Sequence, residues 1–221
     1  MNRGEIRSRI LDGLNDPGAI FWATAEMDEV IEDGMEVMAE EAQSVKRTAF
    51  VPFRDGTAYY SLRGIADDVI SIYRLRDETN SQNLNPVTLS ELDSHNERWV
   101  DVAGNPERWF SISWDLFGIY PVPAAGGGIM RVDYFAWPRT LMDDLDEPEL
   151  SLGDHESLVD YGIYEGLLKR WDFKRAVEAL SPFAREVLGA KARDGVNRIE
   201  ARDMSRSRGA TRNATNLSGT R

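Results

Sequence analysis

Glu40-Glu41-Ala42-Gln43-Ser44-Val45-Lys46-Arg47-Thr48-Ala49-Phe50-Val51-Pro52-Phe53 decides how this chain is built. Before it, apolar residues recur every three or four positions, the spacing that places them on one face of an α-helix. From about Arg47 they alternate, the spacing of a strand with one buried face. The chain passes here from helix into β-structure.

Reading back, Met27, Ile31, Gly34, Met38, Ala42 and Val45 form one apolar stripe. Thr24 is suited to cap this helix, and Glu26 and Asp28 complement its positive end. The predicted helix runs from Thr24 to about Val45. Its opposite face is acidic: Glu29, Glu32, Asp33, Glu36, Glu40 and Glu41, with no basic residue between Arg9 and Lys46. Such a run is ordinarily a solvated helix face; read functionally, it is a surface that repels DNA phosphate. Earlier still, Ile6, Ile10 and Leu14 mark a short helix over residues 4–14, broken by Asp16-Pro17-Gly18.

Reading forward, strand-like runs fall at Thr48–Phe53, Thr57–Leu62, Val69–Arg76, Arg98–Val102, Trp109–Trp114 and Ile129–Trp137. Asp55-Gly56, Gly104-Asn105-Pro106 and Gly126-Gly127-Gly128 separate them as turns. Trp99, Trp109, Trp114 and Trp137 are expected as core anchors. After Pro148 the helical period returns. Asp154 or Ser151 is expected to cap a helix whose stripe is Val159, Ile163, Leu167 and Trp171, beside Leu158, Gly162 and Gly166. A second pattern, Ala176, Leu180, Phe183, Val187 and Leu188, contains Pro182, which should kink or restart it. The expected fold class is α+β: a helical bundle from the N- and C-terminal helices, an inserted small antiparallel β-sandwich or barrel, and an extended C-terminal arm. The expected division is residues 1–46, 47–141, 142–203 and 204–221.

That arm, from Met204 to Arg221, has no aromatic and no acid, so burial cannot offset the entropy of ordering it. Residues 191–221 carry eight basic against three acidic side chains, while the whole 221-residue chain has a net charge of −12. An acidic body with a basic arm predicts an arm that orders against an acidic partner surface, with Arg206, Arg208, Arg212, Asn213, Asn216, Leu217 and Arg221 as contact residues. A solubilising tail is the plainer reading. The acidic body argues against wrapping nucleic acid. No apolar run is long enough to span a membrane, and no signal-peptide core follows Met1.

The search for chemistry returns little. The chain has no Cys, which removes thiol nucleophiles and Cys-based zinc sites. Its two His residues, His95 in a polar loop and His155 at an expected helix start where capping or exposure is the simpler role, share no metal-ligand spacing. Gly126-Gly127-Gly128 precedes a strand, not a helix, so it reads as a hairpin turn rather than a phosphate cradle. The cluster Asp143, Asp144, Asp146, Glu147 and Glu149 lacks the alternating ligands and Gly of a calcium loop and reads as a solvated linker. No catalytic residue, cofactor or metal is expected.

Several segments then occur in order: Leu89-Ser90-Glu91-Leu92-Asp93, Trp99, Gly104-Asn105-Pro106-Glu107-Arg108-Trp109 and Ile119-Tyr120-Pro121-Val122-Pro123. They are followed by Val132-Asp133-Tyr134-Phe135-Ala136-Trp137-Pro138, Leu145-Asp146-Glu147-Pro148-Glu149-Leu150 and His155-Glu156-Ser157-Leu158-Val159-Asp160-Tyr161. Over about residues 17 to 200 the chain resembles the head-to-tail adaptor (connector) proteins of tailed double-stranded-DNA bacteriophages. It departs from them where Leu62-Arg63 and Leu150-Ser151 stand in place of Leu-Pro. The resemblance implies a structural virion protein at the head–tail interface, present in the host cytoplasm during assembly. It implies a ring of copies, commonly twelve, docked beneath the portal protein, extending the DNA channel and presenting a platform for tail or nozzle proteins. DNA would pass without specific binding, past acidic residues such as Glu29, Glu32, Asp33, Glu36, Glu40, Asp143 and Asp144. Alternatives are another tail-completion subunit or, in a different class, a carbohydrate-binding or hydrolytic β-sandwich module.

Overall fold

The computed structural model describes residues 1–151 and 153–189. The fold is mixed α+β, and its sheets are open rather than closed into a barrel. The chain divides into two compact units: Met1–Glu5 with Glu32–Leu152, and Ile6–Ile31 with the described residues from Gly153 on.

The first unit is built on two four-stranded sheets. One runs β1 (Lys46–Pro52), β10 (Ile129–Ala136), β3 (Val69–Asp77), β4 (Gln82–Asn83). The other runs β2 (Tyr59–Ser61), β8 (Leu116–Tyr120), β7 (Arg108–Ser111), β5 (Asn85–Pro86). Most neighbours are antiparallel; β5–β7 and a small pair, β6 (Ala103–Gly104) with β9 (Val122–Pro123), run parallel. The alternation read from the sequence is the cause of the sandwich. Ala49 and Val51 of β1, Leu75 of β3, and Met130, Val132 and Tyr134 of β10 share one buried cluster with Tyr60, Trp109, Phe117 and Ile119 of the facing sheet. β1 is an edge strand, bonded on one side to β10.

A smaller cluster of Ala58, Leu92, Trp99, Phe110 and Val122 lies beside the main one. Helix α3 (Leu89–His95) supplies Leu92 and opens with a capping box: Thr88 and Glu91 each accept the other's backbone amide. His95, expected in a loop, is thus the last residue of a helix. The expected strand over Arg98–Val102 is a 3-10 turn at Trp99–Asp101. There the Trp99 indole N–H donates to Asp93 at 2.9 Å while its ring meets Phe110 edge-on, a pose set by local packing rather than by strand pairing. Trp99 and Trp109 are core anchors, whereas Trp137 is half-buried and Trp114 sits in the β7–β8 turn, 45% exposed, near the Arg63 guanidinium.

Helix α2 (Thr24–Glu41) ends four residues short of the sequence expectation. Gln43 takes a positive φ of 54° and the Ser44 hydroxyl donates back to the Met38 carbonyl, closing the helix end. Ala42 and Val45 are buried all the same, beyond the helix.

The second unit is helical: α1 (Arg3–Gly13, from Ile6 on), the start of α2, α4 (Asp154–Lys169) and residues 173–189, here α5. Ile6, Ile10, Leu11 and Leu14 are buried. Their close approach to α4 requires glycine: a Cβ on Gly162 would overlap Ile10, and one on Gly166 would overlap Leu14. Gly153, in the helical region and without a side-chain cap, precedes α4 where Asp154 or Ser151 was expected to cap it; Asp154 lies in the first turn instead. Trp171, expected in the core stripe, lies past the end of α4 with φ 60° and is exposed. The helical run 173–189 continues unbroken through Pro182. Ala176, Phe183 and Val187 are its buried residues; Leu188 faces outward.

Candidate interaction surfaces

Along α2, burial of Met27, Ile31, Met35, Met38 and Ala39 fixes one face inward and so fixes the opposite face outward. Glu29, Asp33, Glu36 and Glu40, spaced four, three and four residues apart, stand on that outward face and are all exposed; Glu32 beside them is half-buried. Four carboxylates in line repel a polyanion and offer no phosphate partner.

Residues 142–147 form an acidic turn braced from within. The Asp146 carboxylate accepts the amides of Met142 and Asp143, both at 2.8 Å. Those backbone hydrogen bonds hold its pKa below the ordinary carboxylate value. Arg3 donates to the carbonyls of Leu141 and Met142 and to the Asp144 carboxylate. Asp143 and Asp144 are exposed, as are Met142 and Leu145.

In the helical unit a second carboxylate organises a second turn. Asp16 accepts the amides of Ile20, Phe21 and Trp22 at 3.1, 2.8 and 3.1 Å. Burial alone would raise its pKa, but these bonds and the nearby Arg170 outweigh it and hold the carboxyl low. Lys169 and Arg170 lie over the rings of Phe21 and Trp22, and Arg170 also donates to the Leu14 carbonyl at 2.7 Å. Trp171 meets Phe173 edge-on beside them. Sequence reasoning missed this corner because it placed Trp171 in the core.

The sandwich's outer face holds a third carboxylate. Asp133 is 1% exposed and accepts from Thr48 at 2.7 Å, Arg131 at 2.8 Å and Arg74 at 2.5 Å. Burial pushes its pKa up, and these three donors push it down further, so it stays ionised. This is a clasp between strands β1, β10 and β3, with each charge already matched.

Two concavities among the described residues give no reacting constellation. One is lined by Ser44, Lys46, Arg47, Tyr134, Arg139 and Glu149, and its charges pair internally: Arg47 with Asp68 and Glu149, Arg139 with Glu149. The other, lined by Phe50, Glu78, Thr79, Ile129 and Arg131, holds no nucleophile with a base. Among the described residues no group of three or more His, Asp or Glu side chains is placed to hold a metal ion. His155, for which capping or exposure was expected, is 2% exposed in the first turn of α4: helix packing buries it. No described helix is long and apolar enough to cross a membrane. Arg206, Arg208, Arg212, Asn213, Asn216, Leu217 and Arg221 lie outside the described residues.

No curated protein matches the chain. A family model, that of the SU10 adaptor protein, matches residues 1–214, a span that includes both units and reaches into the basic arm. The chain therefore belongs to the SU10 adaptor family of phage head–tail adaptor proteins, structural components of the virion's head–tail junction.

Proposed function

We propose that this adaptor works as a closed ring of copies, twelve in the reading adopted here, seated between the portal and the tail. The observation that carries this reading is the family match over residues 1–214. The ring extends the DNA channel and offers the first tail or nozzle protein a platform.

Of the two acidic segments, the outward stripe of α2, Glu29, Asp33, Glu36 and Glu40 with Glu32, rather than the turn at Asp143 and Asp144, lines the DNA path in this reading. DNA binding is driven by phosphate neutralisation, so an acidic wall lets the duplex slide. The arm, through Arg206, Arg208, Arg212, Asn213, Asn216, Leu217 and Arg221, docks on the portal or a neighbouring copy. Arginine forks suit carboxylates there, and many weak arms acting together make a tight joint.

The test is particle assembly. Heads made without this protein should fill with DNA, lack tails and leak; image averaging of complete particles should show a ring of this chain below the portal. A chain ending at Met204 should fold yet fail to load onto portals. Tailed, infectious particles lacking the protein would end the reading.

A further inference from the structure

The four most exposed large apolar side chains among the described residues are Ile20 (91%), Leu145 (82%), Trp171 (78%) and Met142 (77%). They fall in only two places, and these two places carry opposite charge. Met142 and Leu145 project from the turn 142–147, which holds four acids and no base. Ile20 and Trp171 stand at the helical corner, joined by Phe21 and Phe173, where residues 169–175 hold four bases and one acid; Lys169 pairs with Glu26, Arg170 lies beside Asp16 and Arg175 pairs with Asp172, so the positive balance is small. Exposed apolar groups grouped this way mark contact surfaces.

Resting on the ring reading above, we infer that the acidic turn of one copy seats on the aromatic–basic corner of the next. Met142 and Leu145 cover Trp171 and Phe173, while Asp143 and Glu147 face Lys174 and Arg175. The chemistry favours a second copy of this chain over other occupants because each patch has what the other lacks: aliphatic knobs with acids against an aromatic shelf with bases. Both turns are stiff before they meet. Asp146 clamps the acidic turn through two amides, and Asp16 clamps the Ile20–Trp22 turn beside the basic corner through three, so little order remains to be imposed on those two turns. A contact between two different patches repeats head to tail and closes into a ring when the rotation allows.

Two exposed double reversals test this: Asp143→Lys with Glu147→Lys, and Lys174→Glu with Arg175→Glu. Sedimentation of the full chain should show wild-type self-association, strongest at low salt. Each reversal alone should weaken it about tenfold or more, because like charges then face each other. An equimolar mixture of the two variants should restore it, since each now complements the other. Trp171→Ala should also lose about tenfold with an unchanged circular dichroism spectrum. If wild-type copies associate and neither reversal matters, or if mixing fails to restore association, this contact is wrong while the ring stands. If the wild type stays monomeric at every concentration, the contact is also wrong. Image averaging of particles then judges the adaptor reading separately.

Discussion

The sandwich and the helical unit bury their interiors by opposite means. In the sandwich, large side chains from both sheets fill the space between them: Val51, Leu75, Trp109, Phe117, Ile119 and Val132. In the helical unit, α4 removes side chains where α1 comes closest, at Gly162 and Gly166, so that Ile10 and Leu14 can sit against its backbone. The helical unit is therefore sensitive to added volume along this seam, whereas the sandwich is sensitive to lost volume at most core positions and to added volume at Gly118, beneath Phe110.

The largest effect should come from Gly162→Leu. The new side chain has no room beside Ile10, and the helical unit should lose about 3 kcal/mol. Hydrogen exchange should show faster opening of α1 and α4 amides and little change in β10 or β3. Equal loosening of both units would erase the contrast.

Asp133→Asn probes the sandwich. It removes a buried charge that two arginines and a threonine share. Both arginines reach solvent, so the loss should be about 2 kcal/mol rather than the full cost of breaking a buried pair. The sign with pH follows from the lowered pKa. A depressed carboxylate stabilises the fold above its unfolded value of about 3.9 and loses that contribution as pH falls through the folded value. Urea midpoints of the wild type should therefore drop below about pH 5, and the Asn variant should show a flatter dependence. A parallel pair of curves would mean that Asp133 is not the group responsible.

Thr88→Ala removes half of the capping box on α3 and should cost about 1 kcal/mol. The smallest effect belongs to Trp171→Ala, within about 0.5 kcal/mol, because the side chain is exposed in the single chain. A large loss of thermal stability would move Trp171 back into a structural role.

The same contrast governs what was legible beforehand. β1 and the first half of β10 announce themselves because a sandwich strand must alternate; β3 is legible by its run of branched and aromatic residues, since bulges against β10 set its buried Val69, Ile72 and Leu75 three apart. β8 does not, since its central Phe117, Gly118 and Ile119 are buried on both faces and leave no period to read. Helix α3 carried a readable signal, Thr88 followed by Glu91, that the surrounding polar residues masked. In the helical unit the stripe through Leu167 extends naturally to Trp171. No Gly or Asn marks that residue's positive φ, and the chain reverses there unannounced. Of the candidate surfaces, the acidic stripe of α2 was plain, because charge period mirrors burial period. The apolar tips Met142 and Leu145 were not, because their exposure depends on how Asp146 folds the turn.

Pro52 closes β1, and its position has a consequence for crowding. Phe53 donates to Gly128 and Val45 accepts from Ala136, so odd-numbered residues of this strand bond to β10 and even-numbered ones point off the sheet. Pro52 is an even position. A stray strand aligning along this open edge meets a residue with no N–H to give. In the ring proposed above, copies would be held at high local concentration, where sheet-to-sheet sticking would compete with orderly assembly. A proline at that site acts as a guard against precipitation, and Pro52→Thr should fold like the parent yet aggregate sooner on concentration.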